Sequence, residues 1–355
     1  MLPKDWTGRE MKRLAIVGLS KNAGKTTVLN HLSGAAVSRS LPAGLVSIGV
    51  DGEERDAWSG RPKPQVLVPE GAVVATAGPC LDVRAGNWEV LEELPVRSLL
   101  GQVFLARAVR PGTVKLAGIC SAEEVDRVLE GFGRHGVRLA LVDGAYDRKA
   151  AAHPIRSDGV ILVVGASAGK TLEEVVRRTE EWVRIFSLPP CGDPLLEKAG
   201  KRAVLEGWTM GIAGEGIEPF PLSSLLVDRG KLSEAMGSRP WTALAVPGAL
   251  TDRTLMLLAQ CGCSFPLVLS SPTHAFFSLR TLRTFLRSGG EIRYLERPPL
   301  VGVAINPVSP EGGAFDPREM KRRMARVCRP VPVTDVIRDG FDGLHLMPWR
   351  WDGVH

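Results

Sequence analysis

No stretch of this 355-residue chain is apolar for long enough to cross a bilayer. Its first residues, MLPKDWTGREMKRLAIV, lack the apolar core of a signal peptide, so the chain reads as cytoplasmic. Cysteine is sparse. There are six, none in a C-x-x-C pair, and Cys261 and Cys263 stand two apart, which is not the usual zinc spacing. Reduced, buried thiols are expected, rather than a disulfide frame or a metal cluster. No G-x-S-x-G elbow is present, and no Cys/His pair is arranged for thiol catalysis. Internal repeats and low-complexity tails are also missing.

What remains is apolar enough for a large core, at 44% hydrophobic residues. Formal net charge is +6, a mild excess for this length. Two segments concentrate it. FFSLRTLRTFLR puts Arg280, Arg283 and Arg287 at helical spacing, beside a stripe of Leu279, Leu282 and Leu286. DPREMKRRMARVCR does the same beside Met320, Met324 and Val327. Amphipathic helices with a solvated basic face account for both, and nucleic-acid binding is not expected. An anionic partner surface is the alternative.

Strand and helix signals alternate through the first half. RLAIVGL, AGLVSIGV, VRLALVDG and DGVILVVGA read as strands. GKTTVLNHLSGAAV, SAEEVDRVLEGFG and TLEEVVRRTEEWVRIF read as helices, the last two opened by Ser121 with Glu124 and Thr171 with Glu174. Near-continuous apolar strands between helices predict a parallel sheet buried on both faces. The fold class is therefore α/β, with a mostly parallel sheet flanked by helices over residues 1–190. SLPPCGDPLLEKAGKR reads as a connection to a second α/β region over 191–355, a candidate partner-facing half. Its strands are TALAVPGA, FPLVLSS, PLVGVAINP and PVPVTDV. Whether they extend the first sheet or form their own is open at this level.

Gly-Lys-Thr occurs twice, each time after an apolar run. A phosphate cradle needs a strand, a loop of inward amides, a lysine for the outer phosphates and a hydroxyl for Mg2+. GLSKNAGKTT supplies them in order. Gly18, Ser20, Lys21, Asn22, Ala23 and Gly24 form the loop, Lys25 is the phosphate lysine, Thr26 the metal hydroxyl, and Thr27 continues the helix. Five residues separate Gly18 from Gly24, one more than the common spacing, and Leu19 sits where the first glycine is usual. The second copy, GASAGKTLEE, has only three residues between Gly165 and Gly169, too few amides to wrap a phosphate. It is expected to be a structural turn capped by Thr171 and Glu174, with Ser167 and Lys170 within reach of a crevice at the strand ends.

Carboxylates for a metal or a water come from two places. Asp143 ends the strand RLALVD, with Asp147 nearby as a substitute. VDGEERD places Asp51, Glu53, Glu54 and Asp56 at the exit of the second strand, with Lys63 in the same loop. Asp51 and Asp56 are the favoured metal ligands there. A solvated acidic loop explains the cluster as well. His153 follows the Asp143 loop and reads equally as a packing or a catalytic residue. No Asn-Lys-x-Asp stretch is present to read guanine, which favours ATP.

On these residues the first ~190 positions resemble the P-loop class of dethiobiotin synthetase, cobyrinic acid a,c-diamide synthase and the molybdopterin-guanine dinucleotide accessory protein. The carrying stretches are GLSKNAGKTT, VDGEERD, LVDGAYDR and VILVVGASAG. Ser20 stands where partner-switching ATPases of that class have a signature lysine. At full length the chain resembles the reactivase subunit encoded beside lysine 5,6-aminomutase, a B12- and PLP-dependent enzyme. That likeness adds VDGAYDRKAA and AINPVSPEGGAFDPREMKRRM. It implies an ATP- and Mg2+-dependent accessory protein that releases damaged cobalamin from the aminomutase, acting with a second ATPase subunit. A homo-oligomer such as a dimer is expected. The other enzymatic option is an ATP-dependent ligase acting on a small carboxylate or amine through Lys63, Asp143, Ser167 and Lys170.

Overall fold

The computed structural model describes residues 11–48, 65–82, 86–144, 157–310 and 312–340. Strand β1 (Lys12–Gly18) leads into helix α1 (Lys25–Val37), followed by β2 (Ala43–Ile48). Six short or antiparallel strands come next: β3 (Val66–Val68), β4 (Val73–Ala77), β5 (Trp88–Ser98), β6 (Gly101–Ala108), β7 (Gly112–Val114) and β8 (Gly118–Ile119). Then α2 (Ala122–Arg134), β9 (Leu139–Gly144), β10 (Gly159–Gly165) and α3 (Leu172–Phe186) complete the first half.

The chain continues through α4 (Pro194–Glu206), β11 (Met210–Ala213), β12 (Gly216–Pro219), α5 (Arg229–Gly237), β13 (Ala243–Val246) and β14 (Leu250–Thr251). It goes on with α6 (Asp252–Gln260), β15 (Pro266–Leu269), β16 (Ala275–Phe276), α7 (Leu279–Arg287) and β17 (Glu291–Tyr294). Last come β18 (Leu300–Asn306), α8 (Pro317–Val327) and β19 (Val333–Thr334).

Two compact units result. One gathers the described residues of Met1–Thr179 and Pro298–His355, the other those of Glu180–Arg297. A single division at residue 190 is therefore replaced by two crossings. The physical reason is pairing: β18 lies parallel to β10, with Ile161 opposite Gly302 and Gly165 opposite Asn306, so the last strands complete the first sheet. SLPPCGDPLLEKAGKR, expected as a connection, ends in helix α4. Asp193 accepts hydrogen bonds from Leu195 N and Leu196 N, and Pro194 takes the first helical turn, where its missing N–H is not needed.

The first unit is built on a ten-stranded sheet in the order β19-β18-β10-β1-β9-β2-β4-β6-β5-β8. From β19 to β2 every pairing is parallel. Leu14 and Ile16 of β1 pack with Val28, Leu29 and Leu32 of α1, while Ala15 and Val17, pointing the other way, are equally buried. Both faces are covered, as a parallel sheet requires. β4 still pairs parallel to β2, and from β4 onward through β6, β5 and β8 the pairing is antiparallel and the sheet curls. β8 returns to pair with the last residues of β2, after β4 has paired with the earlier ones, so β2-β4-β6-β5-β8 closes a circuit. Helix α2 starts with the expected capping box of Ser121 and Glu124. Its buried Phe132 seats on Gly44 of β2, where a Cβ would stand 2.9 Å from the ring.

The second unit has its own five-stranded sheet, β12-β11-β13-β15-β17, with β13, β15 and β17 parallel. Alternation sorts its residues cleanly. Ala243, Ala245 and Val268 meet α4 through Leu196, Ala199 and Ala203. Leu244, Val246, Leu267 and Leu269 meet α5, α6 and α7 through Leu232, Leu255, Leu258, Leu282 and Phe285. On α7 the buried residues are Thr281, Leu282 and Phe285, whereas Leu286, expected in the apolar stripe, is 43% exposed. Phe285 replaces it because residues 281, 282 and 285 share one helical face. Met320 and Met324 of α8 are buried as expected. Among the described residues no helix is long and apolar enough to cross a membrane.

Candidate functional site

The loop after β1 is shaped by its neighbours on β10 and β18. Leu19 N donates to Val163 O at 2.8 Å, extending the β1–β10 pairing by one residue. Asn22 then takes φ +58° and Gly24 φ +106°, left-handed values that asparagine tolerates and glycine adopts without cost. The two left-handed residues turn the chain back over the sheet and into α1.

Gly165, at the end of β10, is what allows the loop to sit so low. A Cβ there would lie 2.6 Å from Ala23 Cα and 2.9 Å from Ala23 O. Ser167 continues the support. Its Oγ donates to Lys21 O at 2.9 Å and lies 2.9 Å from Ser20 Oγ. Arg178 of α3 in turn donates to Ala168 O. The second Gly-Lys-Thr segment is thus the buttress of the first. Its own ending is a helix start: Thr171 Oγ1 accepts from Glu174 N at 3.2 Å, and the Glu174 carboxylate accepts from Lys170 N at 3.0 Å.

Above the loop stands the N-terminus of α1, which differs from the other helix starts. Gly24 provides no side-chain cap, and the first turn holds no acidic residue. Ser121, Thr171, Asp193, Asp228, Thr251, Ser278 and Asp316 each accept a hydrogen bond at the start of α2 to α8. Among the described residues, the first-turn amides of α1 and the positive end of its dipole therefore lack the side-chain anion or hydroxyl that such ends usually hold. Lys25 adds its charge at the same place. A Cβ on Gly18 would be 3.4 Å from both Cγ and Cδ of Lys25, so the lysine stem folds back over the end of β1. Ser20 and Ala23 are buried, Lys25, Thr26 and Thr27 half-buried, and Lys21 and Asn22 exposed.

Asp143 lies at the end of β9, directly beside β1. It is opposite Ile16 on one side and Ser47 of β2 on the other, and its Oδ1 is sealed from solvent. Asp51, Glu53, Glu54, Asp56, Lys63, Asp147 and His153 lie outside the described residues. Among the described residues, no three His, Cys, Asp or Glu side chains group to hold a metal. A metal here would have to be held as Mg2+ usually is, by one hydroxyl, one carboxylate, water and ligand oxygens. Thr26 and Asp143 fit that pattern.

Sequence reasoning missed Asn306. It ends β18 opposite Gly165, and its side chain packs over Gly24, where a Cβ would stand 3.2 Å from Nδ2 and 3.4 Å from Asn306 Cβ. Its Oδ1 accepts from Val308 N at 3.2 Å. The signal was a polar residue closing an apolar run, LVGVAIN, the same pattern that singled out Asp143. Comparison of the chain with protein-family models, with curated proteins and with solved structures finds no match.

Proposed function

We propose that residues 18–27 hold the phosphates of ATP with Mg2+, as a P-loop does, and that the protein is an ATPase. One observation carries this reading: the uncapped N-terminus of α1, at the end of a buried parallel strand, with Lys25 folded over Gly18. Such a helix start is an anion site waiting for an anion, because its amides and its dipole both favour negative charge. Lys25 neutralises charge on the outer phosphates, and the loop amides orient them. Thr26 and Asp143 are the residues to hold Mg2+, which would spread the charge that develops on the transferred phosphoryl group. Phosphoryl transfer asks mainly for positioning and charge stabilisation, so this small set suffices for slow hydrolysis.

The task served by that hydrolysis is, in this reading, reactivation of a B12-dependent aminomutase of the lysine 5,6-aminomutase type by promoting release of damaged cobalamin. Support comes from the stretches that resemble the reactivase subunit. GLSKNAGKTT and AINPVSPEGGAFDPREMKRRM are nearly 280 positions apart in sequence. Both belong to the first unit, and they meet where Asn306 packs on Gly24.

The test is ATP turnover by the purified chain, with and without the aminomutase inactivated by bound cyanocobalamin. Stimulated turnover together with regained mutase activity is the expected result. ATP binding that ignores the mutase would overturn the reactivase role and leave the ligase as the remaining case. Failure to bind ATP at all would overturn the cradle itself.

A further inference from the structure

The second unit contains a guanidinium with no counter-charge among the described residues. Arg297 stands three residues after β17, and its Nε is sealed from solvent without a hydrogen-bond partner. No ion pair involves it among the described residues, and burial pushes its pKa below the ordinary arginine value. Arg184, Arg202, Arg239, Arg283 and Arg293 of the same unit each meet a carboxylate. Arg297 is half-buried with its Nε sealed, and a cation partly withdrawn from water without a counter-charge is a place where an external anion can complete the pair.

A donor-rich turn lies alongside. Ser270 and Ser271 follow β15, and the backbone keeps pairing beyond the strand ends: Leu295 N donates to Leu269 O at 2.8 Å and Glu296 N to Ser270 O at 3.0 Å. The stretch before Arg297 is thus held against the turn Ser270–His274. Within that turn the polar groups converge. Ser270 Oγ is 2.7 Å from His274 Nδ1, Thr273 Oγ1 is 3.2 Å from it, and Ser271 Oγ is 2.6 Å from Thr273 Oγ1. Because β13, β15 and β17 are parallel, these residues share the carboxyl edge of the sheet, the edge at which open α/β sheets bind ligands.

We infer that the carboxyl edge of the second sheet binds the phosphate group of a small molecule, with Arg297 as counter-charge and hydroxyls of the turn after β15 as donors. A tetrahedral oxyanion can accept from several donors at once, and a guanidinium matches two of its oxygens. Its residues belong to the second unit, whereas the loop after β1 belongs to the first.

The experiment uses the full chain carrying Lys25→Ala, so that the first loop contributes no phosphate signal. Inorganic phosphate is titrated by calorimetry and by thermal melting. Saturable binding is expected, weakened about tenfold or more by Arg297→Met and less by Arg297→Lys. Arg297→Met is also expected to raise the ligand-free melting midpoint, because it removes a half-buried charge that has no counter-charge among the described residues. Ser270→Ala should weaken binding and leave that midpoint nearly unchanged. Phosphate binding that survives Arg297→Met overturns the proposal, as does no binding up to about 10 mM. A lowered ligand-free midpoint for Arg297→Met overturns the premise that the guanidinium lacks a partner. Acetate binding more tightly than phosphate overturns the ligand class.

Discussion

The two Gly-Lys-Thr segments use the same three residues for different work. Each follows a buried parallel strand and precedes a helix. In the first, five residues separate the glycines, two residues go left-handed, and the helix begins without a cap. In the second, three residues separate them, and Thr171 and Glu174 satisfy the helix start from within. The tripeptide is therefore not the unit of meaning. What matters is whether the helix amides behind it are already occupied. The second segment has satisfied its own, and so can serve as a prop for the first.

Substitutions can break that contrast or sharpen it. Lys25→Ala should weaken ATP binding most, by about 100-fold or more, since the proposed cradle gives it a charge-assisted contact to two phosphates. Equilibrium binding of a fluorescent ATP analogue reads this directly, and a smaller loss would show that Lys25 does not face the phosphates. Gly165→Ala should come next, although it lies in the second segment. Its Cβ would meet backbone atoms of Ala23, which no rotamer change relieves. A stability loss of about 1–3 kcal/mol in chemical denaturation is expected, with about tenfold weaker ATP binding. Ser167→Ala removes the contacts to Lys21 O and Ser20 Oγ and should cost about 1 kcal/mol, with a several-fold loss of ATP affinity.

Thr171→Ala should lower stability by about 1 kcal/mol through the lost cap and leave ATP affinity unchanged. If it weakens ATP binding as much as Ser167→Ala does, the prop and the cap are not separate functions. Smallest of all, Lys170→Ala should change ATP binding by less than about twofold. A large effect would erase the distinction between the two lysines, since the loss predicted for Lys25 rests on its contact with phosphate.

Local signals were legible where one segment carries the whole instruction. β1, α1, β9 and β10 could be read from apolar runs and helix periodicity, and α2 and α3 from their caps. Asp143 could be placed at a strand end because VRLALVD stops at it. Features set by partners far along the chain could not be read. LVGVAIN has the same apolar pattern as TALAV and FPLVL, and nothing within it says that it pairs with β10 and not with the second sheet. The curling wing of β4, β5 and β6 could not be read as a unit, because its register depends on bulges at Val90/Glu92 and Glu93/Arg97. Asn306 and Gly165 gain their roles only from the loop that settles between them. That is a contact between residues more than a hundred positions apart, and no periodicity records it.

The closed circuit at β2 also bears on how copies of this chain could associate. A strand border with unpaired amides and carbonyls is a template for another chain, and open sheets must shield theirs. Among the described residues the ten-stranded sheet ends at β8 by folding back onto β2, and that side offers no template. Its other side ends at β19, only two residues long. Among the described residues β19 pairs only with Val303 and Ala304 of β18. On the β8 side, among the described residues, self-association would fall to side chains on helix and loop surfaces, where single substitutions can tune it.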